Sequence, residues 1–114
     1  MKTRLGMSYK KGDILLVNFP FTDLINSKKR PVLVIRDENE HGDIVCFQIT
    51  SKSNQSNLIK IEQNDTVGKP LKLISFVKYD KCFTIDSGII DKKITIVNND
   101  FLIRLKKLFC EEAL

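Results

Sequence analysis

Residues 27–37 read "SKKRPVLVIRD". Three cations, Lys28, Lys29 and Arg30, run into Pro31, and four apolar β-formers follow at once, Val32, Leu33, Val34 and Ile35. Consecutive apolar positions predict a strand covered on both faces. Pro31 fits the first residue of such a strand, where no ladder donor is needed. It also biases Arg30 towards extended backbone. The guanidinium is therefore expected on a stiff support at the mouth of a loop. It is charged at every physiological pH and presents a planar fork that suits a phosphate. The plainer reading is a solvated basic loop beside a strand.

Working outwards, "GDILLVNF" (residues 12–19) predicts a first strand and "PFTDLINSKKR" a loop rich in turn chemistry, from Pro20, Thr22, Asp23, Asn26 and Ser27. "ENEHGD" reads as a turn and "IVCFQITS" as a third strand ending on Thr50 and Ser51. "KSNQSN" is a polar loop, "LIKIE" a short alternating strand and "QNDTVGKP" a turn cluster. "LKLISFVKYD" and "CFTID" predict two strands or one bent strand, and "KKITIV" the last. In "NNDFLIRLKKLF" the residues Phe101, Leu102, Leu105, Leu108 and Phe109 form one helical stripe. Asn98 or Asn99 can cap it, and Asp100 suits its first turn. Many short strands and one terminal helix predict a mainly β fold: a small barrel or curled sheet with a helix packed on it.

The chain has 114 residues, 42% hydrophobic and 29% charged, which predicts one domain of ordinary globular composition. Residues 1–8 are expected to be a loose extension and residues 9–114 the domain. No apolar run approaches the ~18–20 residues that span a bilayer, and "MKTRLGMSYKKGD" lacks the apolar core of a secretory signal. Three scattered cysteines and one histidine predict reduced thiols, a cytoplasmic setting, and no zinc site, which needs about four ligands of that kind. No cofactor motif is present. The formal charge of +5 suits a polyanionic partner.

Two further groups can carry chemistry. Thr50 and Ser51 end a strand, where they serve either as functional hydroxyls or as turn initiators. In "KYDK" Asp80 lies between Lys78 and Lys81, as a base with its charge stabilised or as a surface ion pair. His41, in an acidic turn, is expected to be exposed.

The order "GDILLVNFPFTD", "KKRPVLVI", "QITS", "LISFVKYDKCFTID" and a helix resembles the MazF/PemK family of bacterial toxins, its PemK-like branch most closely. The match runs from about Tyr9 to Phe109. The resemblance implies an SH3-like β-barrel with a C-terminal helix, acting as a homodimer. It implies a toxin of a type II toxin–antitoxin system that cleaves single-stranded RNA sequence-specifically without metal or cofactor. The 2′-hydroxyl attacks the neighbouring phosphate, leaving 2′,3′-cyclic phosphate and 5′-hydroxyl ends. It implies a small acidic antitoxin covering the groove, and contact with operator DNA only through that antitoxin. Arg30 and Thr50 match the family's functional pair, and Asp80 its proposed base. Lys28, Lys29, Ser51 and Lys78 are expected to hold substrate. The sequence departs from the pattern in three places: residues 25–27 replace Gly-Ser-Glu, Lys78 replaces the arginine of Arg-x-Asp, and Thr95 replaces a frequent glycine. The same fold also includes toxins that bind DNA gyrase and cut nothing, so a non-catalytic binding module is the alternative.

Overall fold

The computed structural model describes residues 8–19 and 28–114, and everything below refers to them; the predicted loop chemistry of residues 20–27 and most of the N-terminal extension lie outside. Seven strands form one antiparallel sheet: β1 (Asp13–Phe19), β2 (Lys28–Arg36), β3 (Asp43–Thr50), β4 (Leu58–Ile61), β5 (Thr66–Val67), β6 (Ser75–Asp86) and β7 (Ile90–Val97). Their order is β4-β6-β3-β2-β1-β7-β5. Helix α1 (Asn99–Leu108) follows, continued by a wider π-helical turn, Phe109–Ala113. The expected mainly β, small-barrel architecture with a terminal helix is the one observed.

The sheet is apolar on both sides, as the run Val32-Leu33-Val34 requires, and all three are fully buried. Strand alternation sends Val32 and Val34 to one core with Leu15, Val17, Ile44, Cys46 and Ile85. Leu33 goes to the other core with Ile14, Phe47, Ile49, Val77 and Tyr79, where Phe101 and Leu105 of α1 also pack. A tight 3₁₀ turn, Ser87–Ile89, carries β6 into β7. The two halves of the sheet thereby curl around the first core into a nearly closed barrel, while α1 seals the second.

Several boundaries differ from the sequence reading. β2 starts at Lys28, so the three cations lie inside the strand and Pro31 is its fourth residue. Pairing explains this: Phe19, Asn18 and Val17 of β1 oppose Lys28, Lys29 and Arg30. The β2–β3 ladder begins only at Val32, so on that side no donor is required of Pro31. Gly12 precedes β1 with φ +96, a conformation that favours glycine, and its backbone joins Val34 to Val97. The cluster "QNDTVGKP" contains a 3₁₀ turn, Gln63–Asp65, and the two residues of β5. "LKLISFVKYD" and "CFTID" are one strand, β6, beginning at Ser75.

Asn98 caps α1, its Oδ1 accepting the Phe101 N–H at 2.9 Å. Arg104 of α1 pairs with buried Asp65 at 2.6 Å and stacks its guanidinium over Phe101. The helix is thus fixed both by its apolar stripe and by one buried carboxylate.

Candidate functional site

The register of the sheet assembles the site. Gln48 of β3 opposes Val32 of β2 on one side and Lys78 of β6 on the other. One pleat further along, Thr50 opposes Phe76. The same antiparallel register places Arg30 level with Thr50, just past the last β2–β3 pair. β4 then adds Leu58 opposite Lys78 and Lys60 opposite Phe76. Two adjacent rows result on one face: Arg30, Thr50, Phe76 and Lys60, and beside them Gln48, Lys78 and Leu58. These rows occupy the strand ends remote from the β2–β3 turn, where exposed His41 sits.

Thr50 Oγ accepts the backbone N–H of Lys52 at 3.1 Å. Its hydroxyl proton is left to point at another acceptor. Ser51 follows, exposed, at the first position beyond the strand.

Asp80 reaches the site through an irregularity in β6. Phe47 opposes Cys82 while the next residue, Gln48, opposes Lys78, so residues 79–81 bulge out of the β3–β6 ladder. The Tyr79 N–H turns instead to the Asn57 carbonyl, at 3.0 Å. Asn57 itself has φ +58, in the left-handed region, where asparagine is tolerated better than most residues. Lys78 Nζ contacts Asp80 Oδ1 at 2.9 Å and donates to the Ser56 carbonyl at 3.1 Å. The Lys78 side chain is only 10% exposed, against 33% for Asp80. Lysine 78 is thus enclosed and holds a carboxylate whose outer part faces solvent.

On the far side of the bulge, the buried Tyr79 hydroxyl donates to Glu112 Oε1 of the C-terminal turn. Burial, reinforced by this bond, raises the Tyr79 pKa above its ordinary value. Cys46, in the barrel core, is pushed up to about 12, first by burial and then by the neighbouring Cys82. Burial also raises Cys82.

The sequence-predicted residues separate into two sets. Arg30, Thr50, Lys78 and Asp80 are brought together, with Lys28 two residues from Arg30 on the same strand face. Lys29 alternates to the opposite face and pairs with Asp91 at 3.4 Å. Gln48, Phe76 and Lys60 belong to the site and were not selected from sequence. Spacing along β3 could have found Gln48, two residues before Thr50. Nothing in a single sequence reveals the β4–β6 register that brings in Lys60. Thr95, the replacement for a glycine, is buried and donates its hydroxyl to the Lys69 carbonyl at 2.6 Å. It ties the segment before β6 to β7.

Among the described residues no three His, Cys, Asp or Glu side chains gather as a metal site, and no helix is long and apolar enough to cross a membrane. The fold and the face define a small curled-sheet protein with an arginine, a threonine and a lysine-held carboxylate at one rim. Residues 10–111 match the family model of PemK-like, MazF-like toxins of type II toxin–antitoxin systems, and the chain belongs to that family. No functionally curated protein matches the sequence. Its fold is similar to that of a mycobacterial endoribonuclease in complex with its cognate antitoxin, with TM-score 0.70 and 11% identity over 90% of this chain and 92% of that one. MazF in the MazE–MazF complex from Deinococcus radiodurans gives 0.69 and 15% over 92% and 94%. MazF alone from the same organism gives 0.67 and 18% over 95% and 99%.

Proposed function

We propose that this chain is a toxin whose domain, residues 9–114, cleaves single-stranded RNA sequence-specifically without a metal or cofactor. The observation that supports the reading is the alignment of Arg30 with Thr50, one pleat from the Lys78–Asp80 pair. Transesterification through the ribose needs a base, an acid and donors for the phosphorane charge. Arg30 grips two phosphate oxygens, and the Thr50 hydroxyl donates to the phosphate. Asp80 takes the 2′-hydroxyl proton as the 2′-oxygen bonds to phosphorus. The P–O5′ bond breaks, and Lys78 protonates the departing 5′-oxygen. The products are a 2′,3′-cyclic phosphate and a 5′-hydroxyl. The contact between Asp80 and Lys78 lets the gained proton return to the lysine, so the pair is reset.

The chain works as a cytoplasmic homodimer, and a small acidic antitoxin covers the basic face. Operator DNA is met only through that antitoxin. The deciding experiment is incubation of the purified protein with a long unstructured RNA in EDTA. Discrete fragments ending in 2′,3′-cyclic phosphate are expected. Intact RNA would overturn the reading and favour a non-catalytic toxin that binds gyrase.

A further inference from the structure

Asp80 stands on a stretch of β6 that neither neighbouring ladder holds. Residues 79–81 lie between Lys78, opposite Gln48, and Cys82, opposite Phe47, and have no partner on β3. The ladder to β4 also ends at Lys78, opposite Leu58. A carboxylate that must meet one ribose hydroxyl needs a fixed support. Tyr79, the residue between Lys78 and Asp80, supplies it. Its N–H reaches the Asn57 carbonyl at 3.0 Å. Its side chain leaves the reactive face, enters the first core and is only 2% exposed. A phenol buried to that degree needs a partner for its hydroxyl. It finds one in Glu112, on the exposed terminal turn. That turn is itself anchored: Phe109 packs on Phe47 with ring centroids 5.2 Å apart, and Ala113 lies against the same core. The family match ends at residue 111, one short of Glu112.

We propose that Tyr79 and Glu112 form a latch that positions Asp80 and Lys78 from the opposite side of the sheet. The inference rests on the RNA-cleaving reading of the rim. Neither latch residue touches RNA; both act through the bulge. Glu112 holds the far end of the Tyr79 side chain and so fixes residue 79. Strand alternation then returns Lys78 and Asp80 to the reactive face, in contact at 2.9 Å. Without the latch the bulge is free to shift, and a misplacement of about 1 Å at a reacting group costs on the order of 10² in rate. Arg30 and Thr50 stand outside the bulge, paired with Val17 and Phe76. Their grip on the phosphate therefore survives release of the latch, and the proton transfers slow.

The test is the kinetics of cleavage of one RNA of defined sequence by the parent chain and by E112A, E112Q, Y79F and the double variant Y79F/E112A. E112A and Y79F should each lower kcat roughly 10- to 100-fold with KM close to parental. Glutamine keeps an acceptor oxygen, so E112Q should recover most of the rate. The double variant should be no slower than either single one, because both break the same contact. RNA affinity of a T50A chain should not change when E112A is added. Circular dichroism melts separate these effects from unfolding, and E112A, on the exposed turn, stands if Y79F does not fold. A parent that cuts, with E112A at the parental kcat or with E112Q as slow as E112A, would overturn the latch and leave the nuclease reading intact. A parent that leaves RNA whole would overturn both.

Discussion

Lys29 and Arg30 are adjacent in sequence and face opposite ways. Arg30 lies level with Thr50, whereas Lys29 reaches Asp91 on β7. An exposed pair of that kind contributes little to stability. Arg30→Ala should therefore abolish cleavage while Lys29→Ala leaves the melting temperature nearly unchanged. Removal of one donor to a developing oxyanion costs about 10²–10³ in rate. Arg30→Lys should lose most activity too, because the fork is gone and only a point charge remains. Single-turnover rates on one RNA decide it, and an Arg30→Ala chain cutting at the parental rate would sink the mechanism. Lys78 makes a different prediction. Being enclosed and bonded to Ser56 and Asp80, it should act on rate, as the acid and as the partner of Asp80, more than on affinity. Lys78→Met should thus lower kcat with a smaller change in KM.

At the scale of elements, the terminal turn is bonded to the bulge of β6. Tyr79 carries its hydroxyl to Glu112 from the residue between Lys78 and Asp80. Its pKa is raised in the fold, so the unfolded chain releases that proton first as pH rises. The contribution is full below the ordinary tyrosine value of 10.0 and is lost above it, through the folded value. Melting temperature should fall on that alkaline side, and Tyr79→Phe should flatten the fall. At the other end of α1, Asn98→Ala should cost about 1 kcal/mol, the usual worth of such a cap. The helix was legible in sequence because its stripe and its cap agree. β2 was legible as a strand but not in its start, since the pairing of Lys28 with Phe19 is a property of two strands. The bulge was invisible for the same reason. "VKYDKCF" carries no glycine or proline to announce a break, and only the ladder to β3 exposes it. Arg30, Thr50 and Asp80 could be selected from chemistry and resemblance. Gln48 could not, because its place between Val32 and Lys78 is a property of three paired strands.

For the whole molecule, charge is distributed unequally between the two sides of one strand. Neutralising contacts to a single-stranded polyanion release counterions, so log affinity falls by about 0.7 per contact per log unit of salt. Lys28→Glu, on the Arg30 face, should flatten that slope for RNA binding by a Thr50→Ala chain. Lys29→Glu should leave the slope close to parental. Equal effects from the two reversals would mean that the RNA wraps around both faces of β2.

The burial of Cys46 has a kinetic consequence. Its thiol lies at 0% exposure in the barrel core, with a pKa near 12, while Cys110 on the terminal turn is exposed. At mildly alkaline pH an alkylating reagent meets Cys110 directly but reaches Cys46 only when the barrel opens. The ratio of the two labelling rates is then a clock internal to each molecule. It reads the opening frequency of the core under the Arg30 face, and it should slow when a ligand seats there and closes that core.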